Sequence, residues 1–245
     1  MRVAILSDIH ANSEALEAVL AHMKPRRVDA VWFLGDAVGY GADAEYVIDW
    51  LASPELAGVV RGNHDKVVSG IEEPDTFSPI ARDAALRTRE LISPEAAEAL
   101  RLLPRGPVLA TDTVGLCHGS WFDEDYYIFA PSDAHATFEH MDCSILFFGH
   151  THRACIYAQW DGSTVELPYE SGAEVTLRED ARYLINPGSV GQPRDRDPRA
   201  AYALFDPDER RLALFRVPYD VREAQIKIVK AGLPEMNAAR LSEGR

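Results

Sequence analysis

The sequence is short of three things, and each shortage removes a class of protein. It has no long apolar run: stretches such as Val31-Trp32-Phe33-Leu34 and Ile145-Leu146-Phe147-Phe148 fall far below the roughly 20 residues a helix needs to cross a bilayer. It has only three cysteines, Cys117, Cys143 and Cys155, an odd number without close pairing. They read as small buried apolar residues in a reducing compartment, not as a disulfide framework. It is short of positive charge, with 25 Lys and Arg against 39 Asp and Glu, a net charge of −14. That argues against a protein that tracks long duplex nucleic acid, which needs a basic surface. It leaves open a site that meets phosphate by other means. Met1 to Leu6 is too brief for the apolar region of a secretion signal, and Ser7, Asp8 and His10 follow at once. The expected location is the cytoplasm, with no membrane partner.

What is present is a globular composition. The 245 residues are 47% hydrophobic and 26% charged, enough to bury a sizeable core. No repeat, linker or low-complexity tract divides the chain, so one domain over residues 1–245 is expected, with a loose polar tail from about residue 234. The first 65 residues alternate short apolar strands (3–7, 30–34, 57–60) with helical patterns at 13–24 and 43–53. This pattern predicts a parallel or mixed sheet covered on both faces. Residues 66–104 read as mostly helical, and Ser93-Pro94-Glu95 is a strong helix start. From Val108 on the chain turns strand-rich, with strands expected at 113–117, 143–148, 154–160, 163–167, 182–186, 200–205 and 211–217. Asp161-Gly162 marks a hairpin, and residues 221–231 form a last helix stopped by Gly232.

The informative feature is how the strands end. Five run into Asp, Asn or His beside Gly: Asp8-Ile9-His10, Gly35-Asp36, Gly62-Asn63-His64-Asp65, His118-Gly119 and Gly149-His150-Thr151-His152. In open α/β sheets ligands bind beyond the carboxyl ends of the strands. Each block alone has an ordinary explanation as a turn or a helix cap. Together they bring five of the eight histidines to one edge. His150 and His152 alternate on an extended segment, so both imidazoles can face one point. Mixed imidazole and carboxylate donors suit first-row transition ions. Seven donors, with His64 to spare, are too many for one tetrahedral site and suit two sites sharing a carboxylate. Two such ions clamp the attacking and leaving oxygens of a displacement at phosphorus, and a bridging water becomes the nucleophile.

These five ordered blocks resemble the calcineurin-like metallophosphoesterase superfamily, and Asn186-Pro187-Gly188-Ser189 resembles its small prokaryotic phosphodiesterase branch. The resemblance implies an α/β fold: a two-sheet β-sandwich flanked by helices in four layers. It implies a metal-dependent hydrolase of phosphate esters with two divalent transition ions per chain, from among Mn, Fe, Ni, Co and Zn, with manganese favoured. Asp8, His10 and His152 would hold one ion, Asn63, His118 and His150 the other, and Asp36 would bridge. His64 would stabilise charge or protonate the leaving oxygen, and Asp65 would orient His64.

Two departures narrow the branch. The protein phosphatases and symmetrical diadenosine tetraphosphate hydrolases of this superfamily carry an Arg where this chain has Tyr40, and the protein phosphatases carry Glu where it has Asp65. Losing a bidentate phosphate donor disfavours a dedicated monoesterase and favours a small phosphodiester or nucleotide substrate. Arg194, Arg196 or Arg199 could replace the missing cation, although a segment of three Arg and two Asp also reads as a solvated loop. After His118 come Trp121, Phe122, Tyr126, Tyr127 and Phe129. One or two of these rings either wall a substrate pocket or pack under a loop. A monoesterase, a nuclease, and a non-catalytic scaffold of the same fold are the alternatives. Retention of His64 and all seven donors speaks against the scaffold.

Overall fold

The central strands carry apolar side chains on both faces, so each sheet has to be covered twice. In the computed structural model, which describes residues 1–245, twelve strands form two six-stranded mixed sheets. The first runs β3 (Leu56–Val59), β2 (Ala30–Phe33), β1 (Val3–Leu6), β11 (Ala200–Asp206), β12 (Arg211–Val217) and β9 (Glu174–Thr176). The second runs β4 (Val108–Thr111), β5 (Val114–Leu116), β6 (Ile145–Phe147), β10 (Arg182–Asn186), β7 (Cys155–Trp160) and β8 (Ser163–Leu167). Each sheet has a parallel triplet: β1, β2 and β3 at one edge of the first, and β5, β6 and β10 in the middle of the second.

Side-chain alternation assigns the layers. Val3, Ile5, Trp32, Ile145, Phe147, Ile185 and Phe205 face inward and form the core between the sheets. Their neighbours Ala4, Leu6, Val31, Phe33 and Tyr202 face outward onto α1 (Ser13–Met23), α2 (Ala44–Trp50) and α5 (Pro94–Arg101). On the other side, Leu146, Phe148 and Tyr157 pack under α6 (Pro131–His140). The result is the helix–sheet–sheet–helix sandwich that the strand pattern and the resemblance imply.

Three parts of the chain differ from the sequence expectation. The strands β4 and β9, four and three residues long, were not anticipated, because such short runs show no usable periodicity. Helix α6 sits inside the stretch read as strand-rich; Pro131 opens it, and Asp133 accepts the amides of Phe129 and Ala130, both at 3.0 Å. The tail is not loose. It forms α8 (Glu235–Leu241), which packs on α7 (Val221–Lys230), with Ala238 and Leu241 buried in a cluster that includes Ile228 and Tyr40. Seven residues are too few for a helical period to stand out against a polar background. Leu241→Ala is expected to destabilise the protein by about 3 kcal/mol in urea unfolding, the usual cost of emptying a buried leucine site. An unchanged midpoint would mean that α8 is not held by the core.

Candidate metal centre

The ligand-type residues sit where strands hand over to loops, and the backbone there is strained. Asp8, His10, Asp36, His150 and His152 all have positive φ, between 49° and 66°. Non-glycine residues rarely adopt this conformation, and they do so mainly where the surrounding fold imposes it. Here it turns successive side chains back towards one point. The donor atoms of Asp8, His10, Asp36 and His152 lie within 4.8 Å of one another, and so do those of Asp36, His118 and His150. Asp36 belongs to both groups. Its Oδ2 is 3.5 Å from His10 Nε2 and 3.4 Å from His118 Nε2. Asn63 Oδ1 joins the second group, 3.2 Å from His118 Nε2.

Hydrogen bonds to carbonyls fix which ring nitrogen points inward. A carbonyl only accepts, so the nitrogen facing it carries the proton. His10 Nδ1 donates to Val38 O at 2.8 Å, His118 Nδ1 to Leu34 O at 2.8 Å, and His152 Nδ1 to Gln192 O at 2.6 Å. His150 is the reverse: its Nε2 donates to Asp125 O at 3.0 Å, which leaves Nδ1 for the centre. Four ring nitrogens are thereby aimed at two points, each ring held in orientation by the carbonyl behind it. His10 Nε2 and His152 Nε2 are only 3.1 Å apart. Two inward lone pairs that close repel unless a cation lies between them.

The charges make the same demand. Asp8 and Asp36 are fully buried, and burying unpaired carboxylates is costly. Burial pushes the Asp8 carboxyl up to about 7, helped by the charge on Asp36 and opposed by His118. Burial also opposes charge on Asp36, but the imidazoles of His118, His64 and His10 hold its carboxyl well below the ordinary range. His118 shows the counterpart: burial disfavours its cation, yet Asp36 and Asp8 push it up to about 10. Oxygen and imidazole donors, buried, preset and short of positive charge, fit divalent metal.

His64 lies beside the centre, with its ring 4.9 Å from that of His10 and 4.5 Å from that of Tyr40. Its Nδ1 is buried without a partner. Gly39, with φ +86°, is what lets the chain pass this ring, since a Cβ there would sit 2.3 Å from His64 Nδ1. Burial lowers the pKa of His64 to about 4 against the pull of Asp36. Asp65 does not orient His64. Its carboxylate is taken up by four backbone amides: those of Asp36, Ala37 and Gly62 at 2.8, 2.9 and 2.9 Å, and Val38 at 3.4 Å. Placed at the third position of α3 (Asn63–Ser69), it ties the start of that helix to the loop that carries Asp36. The role expected from the sequence is thus replaced by the setting of Asp36.

A cavity of about 520 Å³ opens beside Asn63, His64 and His150. Tyr40, Phe77 and Tyr127 wall it, and Arg194 and Arg240 project into its lining. Of the aromatic run after His118, Tyr127 is the ring that faces it; Tyr127 stacks on His150 with centroids 3.7 Å apart. Trp121 packs instead on the outer face of the second sheet, and Phe122 packs on Tyr126 and His140. Lys66 was missed by sequence reasoning, because a lysine after a histidine and an aspartate reads as solvated. It is buried, bonding Asp125 Oδ2 at 2.6 Å, Glu72 at 3.2 Å and Glu124 at 3.3 Å. Since Asp125 O receives His150 Nε2–H, Lys66 fixes a metal-facing imidazole through one intermediary.

The description "calcineurin-like phosphoesterase superfamily domain" matches this chain over residues 1–210. The chain belongs to the calcineurin-like phosphoesterase superfamily. It is 36% identical over 250 residues to a protein of Methanocaldococcus jannaschii known only as uncharacterized, covering 99% of this chain and 98% of that one. A crystal structure of a metallophosphoesterase from Sphaerobacter thermophilus is 36% identical, covers 100% of this chain and 99% of that one, and superposes with a TM-score of 0.88. A hypothetical protein from Pyrococcus horikoshii shares the fold at 21% identity, covering 100% of this chain and 98% of that one, with a TM-score of 0.79. Membership in this family and the buried donor groups support a phosphoesterase that binds divalent metal. No helix is long and apolar enough to cross a membrane. Lys66→Met should lower stability by only about 1 kcal/mol, because Asp125 and Glu72 are half exposed and Glu124 keeps Arg61, and should weaken metal binding in a competition titration. Unchanged metal affinity would separate Lys66 from the centre.

Proposed function

We propose that the chain is a dinuclear phosphodiesterase acting on small phosphodiesters or nucleotides. The observation that carries this is the shared position of Asp36 between two donor groups, one of Asp8, His10 and His152 and one of Asn63, His118 and His150. A single ion leaves half of these donors idle. Two divalent ions bound there would activate water and neutralise charge developing on a phosphoryl group.

The chain's own residues then define what reaches that point. His64, half-enclosed between Tyr40 and Phe77, offers a ring nitrogen to a phosphoryl or leaving-group oxygen at the mouth of the centre. The neighbouring cavity has room for a nucleotide-sized group, and Tyr127 and Phe77 offer faces on which a base or aryl ring can stack. A long duplex finds no basic track leading to it, which agrees with the net charge of −14. The three cysteines play no part, being buried with thiols that burial pushes up in pKa.

Asp36→Ala is expected to lose metal and activity together, measured by elemental analysis and turnover of an aryl diester. His64→Ala should keep the metal and slow turnover by roughly 10²–10⁴-fold, the range for a lost proton donor. Diester hydrolysis by fully metal-stripped protein would overturn the mechanism. On a panel of nucleotide diesters, aryl diesters and monoesters, Tyr127→Ala should raise KM for ring-bearing diesters while Trp121→Ala leaves it alone. Equal effects of the two variants would remove the stacking role.

A further inference from the structure

Three arginines near the centre, Arg194, Arg196 and Arg240, have no ion pair, and of these Arg194 both lines the cavity and is bonded to the segment that carries His152. In the same loop, Arg199 pairs with Asp197 at 2.6 Å, and Arg216 reaches in to pair with Asp195. The acids that line the cavity are also taken: Glu72 and Asp125 by Lys66, and Glu73 by Arg89. Arg194 has no carboxylate. Its Nε and Nη2 donate to Gln192 Oε1, at 3.3 and 2.8 Å, and Nη1 is left over.

The side chain is nevertheless held firmly. The Arg194 amide donates to His152 O at 3.0 Å. Gln192, which grips the guanidinium with its side chain, receives His152 Nδ1–H on its carbonyl at 2.6 Å. The guanidinium lies over the ring of Tyr40, 5.3 Å from its centroid, and that ring packs on His10 and His64 at 4.7 and 4.5 Å. The Arg194 loop and the metal-facing imidazoles are therefore one packed unit. An unpaired cation fixed beside a cation-binding centre is electrostatically unfavourable by itself, and it becomes favourable when an anion sits between the two.

We propose that Arg194, presented on the face of Tyr40 and held by Gln192, is the oxyanion-binding residue of this cavity and takes a non-bridging oxygen of the substrate's phosphoryl group. The proposal rests on the reading of the centre as one that receives such a group. It gives Tyr40 and Gln192 the status of positioning residues. The loop after β10 thus provides the cation that the loop after β2 lacks.

The test is binding of inorganic phosphate to manganese-loaded protein by calorimetry, with metal content measured alongside. Arg194→Gln should keep its metal and bind phosphate about 10- to 100-fold more weakly, the loss expected for a charged hydrogen bond. Gln192→Ala retains the carbonyl that serves His152, so it should keep metal and weaken phosphate about tenfold. Arg240→Gln removes the other cation of the cavity that lacks an ion pair, and should change phosphate affinity less than about threefold. Wild-type protein that binds no phosphate, unchanged affinity in Arg194→Gln, metal loss in that variant, or equal losses in Arg194→Gln and Arg240→Gln would each overturn the proposal. Phosphate binding through Arg194 in a protein that cleaves no diester would sink the phosphodiesterase reading and leave this one standing.

Discussion

The placement of one carboxylate, Asp36, constrains more of this structure than any other single feature. Its Oδ2 has to lie between His10 and His118, which come from different sheets. Its Oδ1 accepts the amide of His64 at 2.8 Å, which anchors it to the start of α3. Its own amide is held by Asp65 at 2.8 Å. Gly62 passes so close that a Cβ there would lie 2.1 Å from Asp36 Oδ1. The φ of 59° at Asp36 is the local cost of meeting all these conditions together. Two sheets, one helix start and two loops thereby meet at one carboxylate.

The same constraint explains a charge balance that looks contradictory from outside. An acidic protein is a poor partner for phosphate at long range. At short range the sign is set by what the buried donors collect. Two buried aspartates and four inward ring nitrogens form a well for cations, and the rise in the pKa of His118 beside Asp36 and Asp8 reflects the same pull. Divalent metal bound in that well would make the local field positive, whatever the sign of the surface. The cavity follows the same division. Its three acids are paired with Lys66 and Arg89, and the cations left to face a ligand beside the centre are Arg194 and Arg240.

The fold and the centre were legible to different depths. The first triplet showed because short apolar strands alternating with helical patterns and ending in Gly-Asp or Gly-Asn-His signal both a covered sheet and a ligand edge; the parallel pairing of the second triplet did not show. The seven donors and His64 were legible for the same reason: each sits at the end of a strand, where polarity is abnormal. Residues that act through the backbone were not. Asp65 looked like a partner for an imidazole because sequence shows the carboxylate and hides the amides of Asp36, Ala37 and Gly62 that claim it. Lys66 read as an ordinary surface cation, and Arg194 could not be told from Arg196 and Arg199, since only the fold brings Asp125 to one and Tyr40 to the other. Helix α8 was hidden by its length, although it covers the cluster that includes Tyr40.

The strained ligand loops bear on how such a centre can persist. Five donor residues in left-handed conformation each cost of order 1–3 kcal/mol, comparable in sum to the net stability of a typical domain. Four apolar clusters, two covering the outer faces of the sheets, one between them and one joining α7 and α8, have to supply the surplus that holds this geometry without metal. Preorganisation is the return on that cost. Ring nitrogens already fixed by Val38, Leu34, Gln192 and Asp125 lose little freedom when an ion arrives, so binding energy is not spent on ordering the ligands. The loops carrying the centre can then stay rigid, while the cavity beside them is walled by side chains from α3, from the loop after β5 and from α8, most of which lie outside the donor set.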